Sequence, residues 1–83
     1  MDNKSSKHLS FNQAIGLYIR HQRENQGMTR DDIANVTGLS INGIEKIEKG
    51  KGRPFFSSVM ALCEAIGIDA NELQRIYRDY HQS

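Results

Sequence analysis

The sequence predicts an all-α fold of five short helices, on three observations: apolar residues recur at intervals of three and four, a capping side chain precedes most of these runs, and a glycine closes most of them. Strand-like alternation is missing, and no segment repeats or has low complexity. The 83 residues, 25% charged and 37% hydrophobic, suit one compact domain with one core.

The elements follow in order. A helix near 11–25 begins after Ser10, which with Gln13 suits a reciprocal capping box, carries the stripe Phe11, Ile15, Tyr18 and Ile19, and stops at Gly27. A second, near 29–37, opens with Thr29 and Asp32, a near variant of the same box, and ends at Gly38. A third, near 40–49, is capped by Ser40 without an acidic partner and ends at Gly50. The fourth, near 56–66, shows Phe56, Val59, Leu62, Cys63 and Ile66 as its inward stripe and ends at Gly67. The fifth, near 70–80, starts from Asp69 with Glu72 and carries Leu73, Ile76, Tyr77 and Tyr80. Residues 1–10, MDNKSSKHLS, are polar with two lysines and no stripe, and read as a flexible arm; residues 11–80 form the domain and 81–83 a tail.

Several function classes are disfavoured. Cys63 is the one cysteine, so no disulfide staples the fold, and it reads as a small buried core residue. No run resembles a signal peptide, and none approaches the roughly 20 apolar residues of a membrane span, so a cytoplasmic protein with no membrane partner is expected. His8, His21 and His81 share no metal-ligand spacing with one another or with Cys63, no glycine-rich phosphate loop follows a strand, and the carboxylates show no acid–base pairing. No metal, cofactor, small-molecule ligand or enzymatic activity is expected. With a net charge of +1, any electrostatic role must come from local clustering.

Such clustering surrounds the third helix, LSINGIEKIEKGKGRP at 39–54. At about 100° per residue, Ile44, Ile47 and Glu48 fall on one side while Ile41, Asn42, Glu45, Lys46 and Lys49 share the other. One side is anchored and the other displayed. A short helix and the turn Thr37-Gly38-Leu39 precede it, with Ala34 small enough for close approach, which is the helix-turn-helix arrangement built by helices two and three.

The run from Ile15 to Leu73 resembles the lambda-repressor-like (Cro/CI, or XRE) helix-turn-helix DNA-binding domain. The A-x-x-x-G-L-S turn at 34–40, the I-E-K-G end of the third helix, Pro54 and the closing A-I-G-I agree in order. The resemblance implies a five-helix domain that binds double-stranded DNA, and it gives Arg23 and Glu48 a structural ion pair tying the first helix to the end of the third. Carried onto matching positions, it names Ile41, Asn42, Gly43 and Lys46 as base contacts: Asn42 can pair with adenine, Lys46 can donate to guanine, and Ile41 can press on a thymine methyl. Gly43 either permits close backbone approach or is a weak point in the helix. Phosphate contacts fall to Thr29 and Arg30 at the start of the second helix and to Lys49, Lys51 and Arg53 after the third.

Departures from the family pattern concern the same surface. Glu45 brings a negative charge near the groove, where it could accept from cytosine N4 or penalise wrong sequences, and is expected above all to restrain Lys49 one turn away; Arg30 stands where many relatives have glutamine, suggesting a stronger phosphate grip and less orientation of the recognition helix; Gln22 and Thr37 make the core slightly polar. Reading a useful length of DNA normally takes two copies, so a homodimer is expected, with Phe55, Ile76, Tyr77 and Tyr80 as its interface. The alternative use of Ile76, Tyr77 and Tyr80 is to cap the core of one copy. The function expected is a transcriptional regulator that represses by occupying a pseudo-palindromic operator. The competing expectation is an antitoxin or anti-repressor acting through a regulatory protein partner.

Overall fold

The computed structural model describes residues 9–82. Among them are five helices and no strand: α1 Phe11–Asn25, α2 Arg30–Thr37, α3 Ile41–Glu48, α4 Phe56–Ile66 and α5 Ala70–Gln82. Residues 1–8 of the arm expected at 1–10, and the last tail residue, lie outside the described residues. Leu9 and Ser10 belong to the domain: Ser10 caps α1, and the Leu9 carbonyl accepts a hydrogen bond from the Tyr80 hydroxyl at 2.8 Å. At the other end α5 continues two residues past the expected end at 80.

Local chemistry sets the helix starts. The Ser10 hydroxyl accepts from the Gln13 N–H while Gln13 reaches back to the Ser10 N–H, and Thr29 and Asp32 make the same reciprocal pair, so both boxes are complete. Ser40 accepts from the Gly43 N–H and caps α3 alone. The box expected from Asp69 and Glu72 does not form. The Asp69 carboxylate takes the Asn71 N–H instead, and Glu72 pairs with Arg75 on its own helix. At the ends of α2 and α4, Gly38 and Gly67 take the left-handed conformation that lets the chain leave each helix.

The core is a cluster of branched aliphatic side chains, one or more from each of the first four helices. Ile19, Ile33, Ile44, Leu62 and Ile66 are essentially without solvent contact, joined by Ile47, Cys63 and Ile68. Full burial of each contributes about 2 kcal/mol against the entropy of ordering the chain. Phe56 departs from expectation. It is the first residue of α4, reached straight from the Arg53–Pro54 loop, and its ring is 79% exposed, so the inward stripe begins at Val59. No helix among the described residues is long and apolar enough to cross a membrane.

Two glycines bring α1 against the end of α3. A Cβ on Gly16 would overlap the backbone carbonyls of Ile47 and Glu48, and one on Gly50 would overlap the Gln13 backbone. Bare backbone at both points lets the helices approach more closely than side chains allow. Gly16→Ala is expected to destabilise the fold by about 3 kcal/mol through overpacking against unyielding backbone. Gly52→Ala, at a positive φ but in open space, should cost about 1 kcal/mol. Urea midpoints of the two variants check the difference.

Burial pushes the Cys63 thiol above its ordinary value. The unfolded thiol ionises at its ordinary value while the folded one keeps its proton to higher pH. The protective contribution is therefore complete below the unfolded value and is lost as pH rises through the folded one. Cys63→Ala should show a shallower loss of stability than the parent between neutral and alkaline pH, read from denaturation midpoints in a pH series.

Candidate nucleic-acid interface

The third helix is divided along its length. Ile44 and Ile47 are buried against the core and the Glu48 side chain is 0% exposed, while Asn42, Lys46 and Lys49 are exposed and Ile41 is 47% exposed. Ile41, Asn42 and Lys46 stand together on one outward face of α3. Gly43 lies among them, half-buried. A Cβ there would stand 3.0 Å from the Ser40 hydroxyl, a close contact beside the cap of the helix. A local packing reason for the glycine is therefore present whatever approaches from outside.

The turn before α3 is fastened by a hydroxyl. Thr37 donates to the Ile33 carbonyl at 2.8 Å and accepts from the Leu39 N–H at 3.1 Å, so the polar residue placed near the core is satisfied on both sides. Ala34 is half-buried against the core, and its carbonyl accepts the Gly38 N–H.

Behind the display face lies a buried carboxylate held by two guanidinium groups. Arg23 donates through Nε to Glu48 Oε2 at 2.6 Å and through Nη2 to Oε1 at 3.1 Å, and Arg30 donates through Nε to the same Oε1 at 3.1 Å. Arg23 also donates to the Met28 carbonyl at 2.8 Å, which fastens the loop between α1 and α2. The Glu48 hydrogen bond raises the Arg23 pKa above its ordinary value, partly offset by burial. A lone carboxylate at this depth would be costly; two geometrically matched donors compensate it.

The remaining candidates are placed as follows. Thr29 is occupied as the cap of α2, though its hydroxyl hydrogen stays available. Lys49 is bound to Glu45 at 3.0 Å, and this bond holds the Glu45 carboxyl below its ordinary value. Lys51 and Arg53 are exposed in the loop that follows. Arg30, expected as a phosphate contact at the start of α2, instead bonds Glu48 and is 29% exposed. No local signal reports that a carboxylate 18 residues later would turn it inward.

Of the four residues expected at an interface between copies, Phe55, Tyr77 and Tyr80 are exposed, the latter two at 50% and 38%. Phe55 is 77% exposed at the start of α4, with no side-chain cap bond. Tyr77 and Tyr80 pack on Phe11 of the same chain, with ring centroids 5.4 and 5.9 Å apart, and Ile76 is half-buried. Phe11, Ile15, Ile47, Phe56, Val59 and Leu73 contribute to an apolar groove of about 380 Å³ bordered by Lys51 and Arg53.

The family described as "Helix-turn-helix domain" matches residues 14–76, from the first turn of α1 into α5. A stretch of glutamine–fructose-6-phosphate aminotransferase (isomerizing) from Methanocaldococcus jannaschii is 34% identical over 74 residues, 88% of this chain. The chain spans 7% of the length of that relative, so the likeness concerns a small module within a far larger protein and does not bring that protein's activity with it.

Removing the negative charge at the centre of the lock tests its strength. Glu48→Gln is expected to cost about 3–5 kcal/mol, because Arg23 is left buried with only the half-exposed Glu24 carboxylate, 3.9 Å away, as a counter-charge. Glu72→Gln, which touches only the exposed pair with Arg75 on its own helix, should leave the midpoint unchanged. Chemical denaturation of the two variants provides the comparison.

Proposed function

The chain belongs to the helix-turn-helix domain family, a membership that points to a DNA-binding regulator, and from that premise we propose that it is a cytoplasmic, sequence-specific transcriptional repressor acting on a pseudo-palindromic operator. One observation carries this reading: α3 is buried along Ile44, Ile47 and Glu48 and offers Asn42, Lys46 and the Ile41 methyls on its opposite side. A helix so mounted is of a size to enter the major groove, which is about 12 Å wide.

The roles divide by chemistry. Asn42 can meet adenine N6 and N7 with its amide, Lys46 can donate to guanine, Ile41 can contact a thymine methyl, and the backbone at Gly43 can approach the bases. Thr29, Lys49, Lys51 and Arg53 would meet phosphates, positioning the helix without reading sequence. Lys49 does so while sharing its charge with Glu45, which tempers its contribution. Two copies would read the two halves of the operator, and repression would follow from occupying a site that polymerase needs. For the interface between copies, Phe55, Tyr77 and Tyr80 offer exposed aromatic surface, with Ile76 half-buried beside the two tyrosines on α5.

A second reading is favoured by one specific observation: Phe55 and Phe56 stand exposed beside an apolar groove. Such a surface suits a protein partner, as in an antitoxin or anti-repressor.

Selection from random duplexes decides between the two. A shared motif is expected, with affinity falling in salt at a log–log slope of about −0.9 per phosphate contact. Failure to enrich any motif would remove the sequence-specific reading. On the selected duplex, Asn42→Ala should relax preference at one base position by about 1–3 kcal/mol, whereas Lys51→Ala should weaken every duplex alike and flatten the salt slope by about 1. Equal losses from both variants on all duplexes would refute the division of roles.

A further inference from the structure

Arg30 is the first residue of α2, where a cation would ordinarily reach outward, yet its side chain turns back into the protein and is 29% exposed. Its Nε meets Glu48 Oε1 at 3.1 Å, the same oxygen that receives Arg23 Nη2. The last residue of α3 is thus tied to α1 by one guanidinium and to α2 by the other. Ile33 and Ile44, one on each helix of the helix-turn-helix, also meet in the core, but apolar packing is non-directional and resists rotation weakly. A planar guanidinium bonded to a buried carboxylate has a fixed direction and resists rotation far better.

We propose that Arg30 is a positioning residue for sequence readout: its bond to the Glu48 carboxylate sets the lie of α3 against α2, and it is not one of the phosphate contacts. Asn42 and Lys46 project from the helix whose last residue is Glu48, so a small roll of α3 displaces both of their tips. Bidentate pairing to a base edge tolerates little displacement, whereas a phosphate contact from a flexible lysine tolerates much more. Losing Arg30 therefore costs discrimination between sequences before it costs general affinity. This inference rests on the DNA-reading role of α3.

Two variants of the full chain test it, Arg30→Met and Arg30→Lys, each compared with the parent on the selected duplex and on one changed at the base pair that Asn42 reads. In both variants the ratio of the two affinities should fall roughly tenfold, while the salt slope stays within about 0.3 of the parent's. Lysine keeps the charge but lacks the Nε geometry, so it should not rescue the ratio. A slope flattened by about 0.9 in Arg30→Met, equal weakening of both duplexes and restoration by lysine would make Arg30 a phosphate ligand and overturn the proposal.

A measurement without DNA separates the two levels of the argument. In ¹⁵N–¹H spectra of the free protein, the amides of Asn42 to Lys46 should move in both Arg30 variants and stay in place in the control Arg20→Met. Unmoved α3 amides in the Arg30 variants would refute the coupling even if DNA binding is sound. Moved amides in a parent chain that binds no duplex would sustain the tie between helices and overturn its role in readout.

Discussion

A single carboxylate, that of Glu48, organises the interface. It is the last residue of α3, fully withdrawn from water, and receives donors from both preceding helices. Burying that charge opposes folding, so the arrangement survives only because each oxygen has a matched donor and because the isoleucine core around it is well packed. The gain is directional: apolar contacts hold α3 in place, and the ionic lock fixes its rotation.

The same requirement accounts for the bare backbone at Gly16 and Gly50. Arg23 lies on the same face of α1 as Gly16, about two turns further on, and it reaches Glu48 in a bidentate fashion only where α1 lies close to the end of α3. Close approach and ion pairing are therefore two aspects of one contact. The hydroxyl of Thr37 plays a smaller part of the same kind, holding the turn with two hydrogen bonds where an apolar side chain would have provided none.

Much of this was legible in the sequence, and the reasons are specific. Ser10, Thr29 and Ser40 announce helix starts because capping is a bond between near neighbours, and the alternation of Ile44 and Ile47 with Asn42 and Lys46 separates inside from outside through helical period alone. Contacts between distant residues were less visible. Arg30 looked like a surface cation because the partner that turns it lies in another helix, and Tyr77 and Tyr80 looked surplus because Phe11, across the fold, absorbs part of their surface. Phe56 fitted the period of α4 but stands at its first turn, beyond the edge of the core, where period no longer decides burial. Asp69 failed as a reciprocal cap because its own next-but-one amide competed for the carboxylate. Gly16 carried a signal that went unread: a glycine inside a helix lowers its stability and is worth keeping where another backbone passes close by.

The hydrogen bond from the Tyr80 hydroxyl to the Leu9 carbonyl joins the two ends of the described fold. Entrance and exit of the polypeptide therefore stand side by side, on the flank formed by α1 and α5. A unit with this geometry can be spliced into a surface loop of a host protein without prying the host's own strands or helices apart, since the two junctions make no demand for separation. Compactness at the junction, set by one phenol and one peptide oxygen, makes the domain portable.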